Sequence, residues 1–257
     1  MKTIKYSAQY IDNYDLVSIK KSLNSELLTQ GKINDTFERD ISKFTGSNYA
    51  LTFNSASSAL HVACLSIGIK KNDIVWTSTN SFVASANCAL HCGANIDFID
   101  IDLSTFNISI NSLKNKLIES KKKKKLPKLI IVVHLAGNPC DMKEINLLSR
   151  KYGFKVIEDA SHALGAKSDK NKIGSCKYSD FTIFSFHPVK MITTGEGGSL
   201  HTNKKRLYLE AKSLRSHGID KSVKSKITNK KETWYYEQNT LGFNYRMSDI
   251  NAALGKS

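Results

Sequence analysis

Apolar and polar positions follow two different periods along this chain. Short apolar runs bounded by turn residues are typical of buried strands, and we predict strands over 49–53, 74–77, 95–99, 129–133, 155–158, 181–185 and 198–202. Segments with apolar residues at helical spacing separate them and predict helices over 57–68, 82–92, 110–120, 141–152 and 203–216. Strands separated by helices favour an α/β fold, with a mainly parallel seven-stranded sheet covered by helices on both faces.

The N-terminal region is predicted to be helical. Residues 12–28 open on Asp12 or Asn13 as a cap and end near Gly31. A second helix is indicated by a row of apolar residues at helical spacing before Gly46, namely Ile33, Phe37, Ile41 and Phe44.

The C-terminal region carries a different pattern. Residues 218–240 are polar and aperiodic, which predicts a loop, and Ser248 then caps a helix that runs to the last residue. We therefore expect an N-terminal helical segment (1–30), a large domain (31–217), and a loop with the start of a helix (218–257). A helix that is cut short suggests a fragment that lacks a small C-terminal domain.

The composition is that of a globular protein of one large α/β domain, or one domain and the start of a second. The chain has 257 residues, of which 40% are hydrophobic and 24% charged. No apolar run approaches the roughly 20 residues of a membrane span, and the N-terminus has no signal-peptide pattern. We expect a cytoplasmic protein without a membrane partner.

The formal charge of +15 allows two interpretations. A basic chain can bind nucleic acid, and a positive field equally suits a small substrate that carries a diphosphate. Most of the excess is scattered lysine, and the one run, at 121–125, precedes Pro127 in a segment typical of a solvated loop. Because no recognised nucleic-acid-binding motif is present, we expect no nucleic-acid partner.

The five cysteines indicate neither a disulfide framework nor a zinc site, since their number is odd and no CxxC pair occurs. Cys88, His91 and Cys92 lie on one Ala-rich helical stretch, and no second ligand cluster matches them. Core packing explains these residues better than metal binding, so we predict no metal site.

The segment 181–198 carries the first candidate chemistry. Ligands of a parallel sheet bind beyond the carboxyl ends of its strands, where Ser185 and Lys190 are expected. Ser185 could donate to a phosphate, and Lys190 could form a Schiff base with an aldehyde. The alternative is that Lys190 is one more solvated lysine.

Other strand ends add candidates at the same edge. The small residues of 54–58 open a helix whose N-terminus suits a phosphate, although Ser57 or Ser58 could simply cap that helix. Phe82 could stack on a flat ligand or belong to the core. Asp159 follows a buried strand, where a carboxylate is costly unless it is paired, and a protonated ring nitrogen would pair it.

Together these segments resemble the DegT-type, PLP-dependent sugar aminotransferases of fold type I, which act on nucleotide-linked keto sugars. The matching motifs occur in the family's order and cover nearly the whole chain, at 28–31, 54–60, 81–87, 158–165, 184–190, 193–198, 214–218 and 242–246. The resemblance implies pyridoxal 5'-phosphate as cofactor. It also implies a smaller C-terminal domain beyond the end of this sequence.

The resemblance assigns roles around the cofactor ring. Lys190 matches the Schiff-base lysine, and Asp159 matches the carboxylate that pairs with the pyridine nitrogen. Phe82 matches the aromatic residue that stacks on the ring. His162 stands beside the ring where many members have glutamine.

The resemblance also implies a phosphate site. Ser185, the Ala56 and Ser57 backbone and the Ser57 hydroxyl match its donors, although many members have Gly-Thr in place of Ala56-Ser57. Asn244 matches an asparagine that reaches the phosphate of the neighbouring subunit. The resemblance therefore implies a homodimer.

The variant residues indicate a branch of the family. His162, Ala56-Ser57 and the Arg-Ser-His-Gly motif at 215–218 resemble the branch that makes the 4-amino sugar precursor of pseudaminic acid. There the acceptor is a UDP-linked 4-keto-6-deoxy-N-acetylhexosamine and the amino donor is glutamate. The alternatives are a sister aminotransferase that acts on a GDP-4-keto or TDP-3-keto sugar, and a truncated, inactive fragment.

Overall fold

The computed structural model describes residues 7–257, in which helices and strands alternate as the sequence pattern predicts. The helices are α1 (Asn13–Leu23), α2 (Lys32–Thr45), α3 (Ala56–Ile67), α4 (Ala84–His91), α5 (Ile110–Lys122), α6 (Met142–Tyr152), α7 (Lys205–Arg215) and α8 (Asp249–Lys256), with a 3-10 turn at Leu135–Gly137. The strands are β1 (Tyr49–Phe53), β2 (Ile74–Ser78), β3 (Asn95–Ile99), β4 (Leu129–Val133), β5 (Lys155–Asp159), β6 (Lys167–Ser168), β7 (Asn171–Lys172), β8 (Phe181–Ser185), β9 (Gly198–Thr202), β10 (Ile219–Asp220) and β11 (Glu237–Gln238).

Seven of these strands form one sheet, in the order β1-β9-β8-β5-β4-β2-β3. Only β9 is antiparallel to its neighbours, β1 and β8, and the other pairings are parallel. The predicted mainly parallel seven-stranded sheet is confirmed. Six strands therefore end at one edge of the sheet, here called the carboxyl edge, and β9 begins there. The opposite side is the amino edge.

Helices cover both faces of the sheet, as predicted. On one face α3, α4 and α7 pack through buried residues that include Leu60, Val62 and Leu207. On the other face α5 and α6 pack through Leu113 and Ile145, among others. All five residues of β4 are buried, which explains why its sequence is uninterruptedly apolar.

A third cluster joins the N-terminal and C-terminal helices to the sheet. Phe37 of α2 packs with Phe186, and Ala252 of α8 lies in the same buried cluster. Ser248 accepts from the backbone N–H of Asn251, so it caps α8 as predicted. Among the helices of residues 7–257, none has the length and apolar character needed to cross a membrane.

Several predicted helix boundaries were wrong; α7, for instance, starts at Lys205 rather than at 203. The first helix ends at Leu23 rather than at 28, because the Ser25 hydroxyl and backbone N–H both donate to the Ser22 carbonyl and close a turn there. The fourth helix starts at Ala84 rather than at 82, so Phe82 lies in the connection after β2. The segment 218–240 is a loop apart from the short pairing of β10 with β11.

Candidate active site

A cavity of about 610 Å³ opens at the carboxyl edge of the sheet. The predicted site residues line it together, with the exception of Asn244: Ala56, Ser57, Phe82, Asp159, His162, Ser185 and Lys190. They come from four separate segments of the chain. The cavity is therefore built by the sheet topology, which brings the ends of β1, β2, β5 and β8 side by side.

The N-terminus of α3 forms one wall of the cavity. Ser55 caps this helix by accepting from the Ser58 backbone N–H at 3.1 Å, so the alternative that Ser57 or Ser58 is the cap was wrong. Ala56 and Ser57 therefore occupy the first turn, where backbone N–H groups have no partner within the helix. The exposed Ser57 hydroxyl is not engaged in a hydrogen bond within residues 7–257. This wall can donate to an anion.

Gly198 explains how two backbones meet at this wall. It pairs in register with Ser185 at the start of β9, which places that serine close to the first turn of α3. A Cβ atom on Gly198 would lie 2.5 Å from the Ala56 backbone nitrogen and 2.8 Å from the Ser55 carbonyl carbon. Only glycine allows this approach, so the Gly-rich motif has a packing reason beyond its loop.

Asp159 is the last residue of β5 and is only 4% exposed. Its Oδ2 accepts from the Ser85 hydroxyl at 2.6 Å, and its Oδ1 accepts from the Ser161 hydroxyl at 2.7 Å. No Lys, Arg or His of the described chain forms a salt bridge with it. A buried carboxylate that faces a cavity with neutral donors alone has the chemistry to receive a cationic group of a ligand.

Ser85 and Ser161 are residues that the sequence reasoning missed. Ser161 had a signal, because a serine two residues after an aspartate is typical of a local turn in which the carboxylate accepts both its N–H and its hydroxyl. Ser85 had none. Its contact with Asp159 joins residues 74 positions apart, and only the packing of α4 on the sheet brings them together.

Lys190 follows a short turn closed by its backbone N–H, which donates to the His187 carbonyl at 2.9 Å. It is half-buried at the cavity wall, which disfavours the alternative of an ordinary solvated lysine. Burial lowers the pKa of the Lys190 ammonium, and the Asp159 carboxylate partly offsets this by raising it. The environment thus enriches the neutral amine, which is the nucleophilic form.

His162 is half-buried and lines the cavity. Its Nδ1 accepts from the backbone N–H of Ala136 at 3.2 Å, so the neutral ring carries its proton on Nε2. Burial and the positive charge of Lys190 lower the pKa of His162, while Asp159 raises it. The ring is therefore neutral, with an Nε2–H that can donate a hydrogen bond.

Phe82 and Asn244 occupy the outer parts of the region. Phe82 is 68% exposed at the cavity rim, so the alternative that it belongs to the core was wrong. Asn244 is exposed, forms an isolated bridge with Ser216 and lies outside the cavity. Its predicted role at a neighbouring subunit stays a prediction.

Comparison with known proteins places this cavity in a family. Residues 9–257 match the DegT/DnrJ/EryC1/StrS aminotransferase family. The chain belongs to this family. The match includes each of the predicted site residues, and the predicted resemblance is confirmed.

Individual members of the family are similar to this chain in sequence and in structure. The chain is 43% identical over 252 residues to a Campylobacter jejuni protein named UDP-4-amino-4,6-dideoxy-N-acetyl-beta-L-altrosamine transaminase. The aligned region covers 98% of this chain and 63% of that protein. It is 33% identical to an Escherichia coli O157:H7 GDP-perosamine synthase, over 88% of this chain and 57% of that protein. The structure matches Helicobacter pylori PseC with a TM-score of 0.87 at 33% identity, over 99% of this chain and 64% of PseC.

This chain spans less than two thirds of the length of these relatives. Family members are PLP-dependent aminotransferases, and solved neighbours of the same fold include a PLP form and a PMP form. The prediction of PLP as the cofactor is thus confirmed for the family.

Proposed function

We propose that this protein is a PLP-dependent aminotransferase that transfers an amino group from glutamate to a nucleotide-linked keto sugar. The observation that carries the proposal is the content of the cavity at the carboxyl edge. The cavity combines a buried carboxylate without a cationic partner, a lysine with a lowered pKa and a helix N-terminus beside Ser185. These groups match a ligand that carries a protonated ring nitrogen, an aldehyde and a phosphate.

The residues that line the cavity match the chemical groups of PLP. Asp159 would hold the proton on the ring nitrogen, because its two oxygens already accept from Ser85 and Ser161 and keep the carboxylate oriented. Ser185 and the first turn of α3 would bind the phosphate. Phe82 would cover one face of the ring from the rim, and the Nε2–H of His162 would donate to a polar atom of the ligand.

Lys190 is the proposed acid–base residue as well as the attachment point. Bound PLP supplies an electron sink for the charge that develops when a C–H bond next to nitrogen is broken. In the amino-donor half of the reaction, the neutral Nζ of Lys190 accepts the proton from the α-carbon of glutamate. In the keto-sugar half it returns a proton to C4 of the sugar. The lowered pKa of Lys190 favours the first of these roles.

The proposed substrate is a UDP-linked 4-keto-6-deoxy-N-acetylhexosamine. The relative at 43% identity supports this assignment, and so does PseC, an aminotransferase involved in the biosynthesis of pseudoaminic acid. A GDP-linked 4-keto sugar is the second candidate, supported by the GDP-perosamine synthase at 33% identity. The homodimer, the role of Asn244 across it, the cytoplasmic location and the domain bounds at 30 and 217 are proposed on the same family resemblance.

An assay with a panel of acceptors tests this function. The PLP-loaded protein is given glutamate and a UDP-, GDP- or TDP-linked keto sugar, and 2-oxoglutarate is measured. We expect turnover with the UDP-linked 4-keto sugar and none with the Lys190→Ala variant. Turnover by Lys190→Ala at the wild-type rate would contradict the assigned role, and preference for a GDP-linked sugar would replace the proposed substrate with the second candidate.

A further inference from the structure

A second cavity lies at the amino edge of the sheet, on the side opposite the candidate active site. Its volume is about 380 Å³, within the lower part of the range for ligand sites. It is formed by the end of α6, the segments that precede β5 and β8, and Lys204, which follows β9. None of the residues that line the active-site cavity lines this one. We call it the amino-edge cavity.

Basic side chains dominate the lining of the amino-edge cavity. Four of them surround it, namely Arg150, Lys155, Lys177 and Lys204, and they come from four different segments. Asp180 is the one acidic residue in the lining. With four positive charges and one negative charge, the lining of this concave surface has a formal net charge of +3.

Asp180 has a structural task that accounts for its presence. It is 6% exposed, and its Oδ2 accepts from the backbone N–H of Val156 at 2.9 Å, which ties the loop before β8 to β5. Its Oδ1 contacts the amine of Lys204 and lies 4.0 Å from that of Lys155. Asp180 therefore neutralises part of the charge of these two lysines and none of the charge of the remaining pair.

Arg150 and Lys177 have no acidic partner. Within residues 7–257, no carboxylate lies within salt-bridge distance of either side chain. The amine of Lys177 lies 3.4 Å from Oδ1 of Asn171 and 5.3 Å from the centre of the Tyr178 ring, and both of these partners are neutral. The two cationic groups are exposed and available to a ligand.

The remaining polar groups show that charge would dominate recognition here. The Ser149 hydroxyl donates to the Phe154 carbonyl at 2.6 Å, and the Ser179 hydroxyl donates to Glu158 at 2.5 Å. Their protons are used inside the protein, so the charged donors of the cavity are the arginine and lysine heads. An arginine beside lysines is the set that binds phosphate oxygens, because the guanidinium group forms paired hydrogen bonds and each ammonium adds a point charge.

We propose that the amino-edge cavity binds a compact, multivalent phosphate group, such as an inorganic diphosphate or the diphosphate of a phosphate ester. Several like charges around a concavity focus the field on an anion that enters it. The volume suits a diphosphate group rather than a polymer laid across a flat surface. The proposal rests on this cavity alone and stands independently of the aminotransferase assignment.

The test is calorimetric titration of the protein with inorganic diphosphate at low ionic strength. The protein is first saturated with PLP, so that the phosphate site of the active-site cavity is occupied. The site variant is Arg150→Gln with Lys177→Gln. The matched control is Lys122→Gln with Lys124→Gln, which removes the same two charges from the exposed run at 121–125. All four replaced side chains are exposed, and an unchanged melting temperature of each variant checks the fold.

We expect one diphosphate per chain, with affinity lowered about tenfold or more in the site variant and changed by less than about twofold in the control. Equal weakening in both variants would show a diffuse charge effect and overturn the proposal, as would the absence of binding. A titration with UDP tests whether a nucleoside adds affinity to the same phosphate contact. Binding to vesicles of phosphatidic acid with no binding of free diphosphate would also overturn it.

Discussion

The two edges of the central sheet use charge in opposite ways. At the carboxyl edge Asp159 is 4% exposed and both of its oxygens accept hydrogen bonds from serines. At the amino edge the side chains of Lys155 and Lys204 are 54% and 52% exposed, and water screens them. The buried Asp159 carboxylate raises the pKa of Lys190, although the burial of that lysine lowers it more.

The direction of the helices contributes to this difference. Helix α3 begins at the carboxyl edge, where its N–H groups and the positive end of its dipole face the cavity. Helices α5 and α6 end toward the amino edge, and their last turns carry Lys121 and Lys122, and Arg150 and Lys151. Basic residues are stabilised at a helix C-terminus, so part of the positive charge of this edge has a local structural reason.

Asp159→Asn should produce the largest effect that distinguishes the two edges. The amide keeps the size of the side chain and removes its charge, so the ring nitrogen of bound PLP loses the group that holds its proton. We expect the transamination rate to fall about 100-fold or more, while much of the cofactor stays bound. Steady-state rates and the PLP content of the purified variant measure the two effects. A rate near that of the wild type would remove Asp159 from the proposed mechanism.

Gly198→Ala should have the next largest effect, because it forces apart β9 and the first turn of α3. The added Cβ would lie 2.5 Å from a backbone nitrogen that no rotamer change can move. Overpacking of this kind costs about 1–3 kcal/mol, and we expect PLP affinity to fall about tenfold. Gly153→Ala is the control, since a Cβ at Gly153 meets nothing within 4 Å although its φ of +84° adds strain. Equal PLP affinities in the two variants would contradict this close approach as part of the phosphate site.

The pH dependence of lysine acetylation sharpens the comparison further. Neutral amines react, and burial lowers the pKa of Lys190, so labelling of this residue by acetic anhydride should begin at lower pH than labelling of the lysine in an unstructured reference peptide. Asp159 raises the pKa of Lys190, so Asp159→Asn should move the midpoint for Lys190 to still lower pH. Peptide mass spectrometry of the cofactor-free protein, with the reference peptide in the same reaction, follows both lysines. A midpoint for Lys190 at or above that of the reference peptide would refute the assigned environment.

The smallest effect is expected at the amino edge, from Lys122→Gln with Lys124→Gln. Exposed substitutions without a specific contact change the free energy of unfolding by about 0.5 kcal/mol or less. We expect the transamination rate and the melting temperature to stay within error of the wild type. A marked loss of activity would show that the basic run at 121–125 acts on the carboxyl edge, against the separation described above.

The sequence predicts this molecule well where a pattern is local. The buried strands are uninterrupted apolar runs, and the motifs around Asp159, Ser185 and Lys190 place chemistry at strand ends that the sheet then aligns. Contacts between distant segments have no such signal. The hydrogen bond from Ser85 to Asp159 and the approach of Gly198 to α3 depend on how elements pack, and no spacing in the chain encodes them.

Phe82 shows a limit of a different kind. An aromatic residue near a helix start is usually buried, and the exposed position at the cavity rim results from a helix that begins at Ala84 instead. A shift of two residues in the start of one helix therefore decides whether this ring belongs to the core or to the site.

Covalent capture of the cofactor tests the central claim most directly. The protein is saturated with PLP, reduced with borohydride, digested and analysed by peptide mass spectrometry, with Lys190→Arg as the control. The account predicts one phosphopyridoxyl group per chain, attached to Lys190, and none in the control. A label spread over the exposed lysines of the amino edge, or equal labelling of the Lys190→Arg protein, would contradict it.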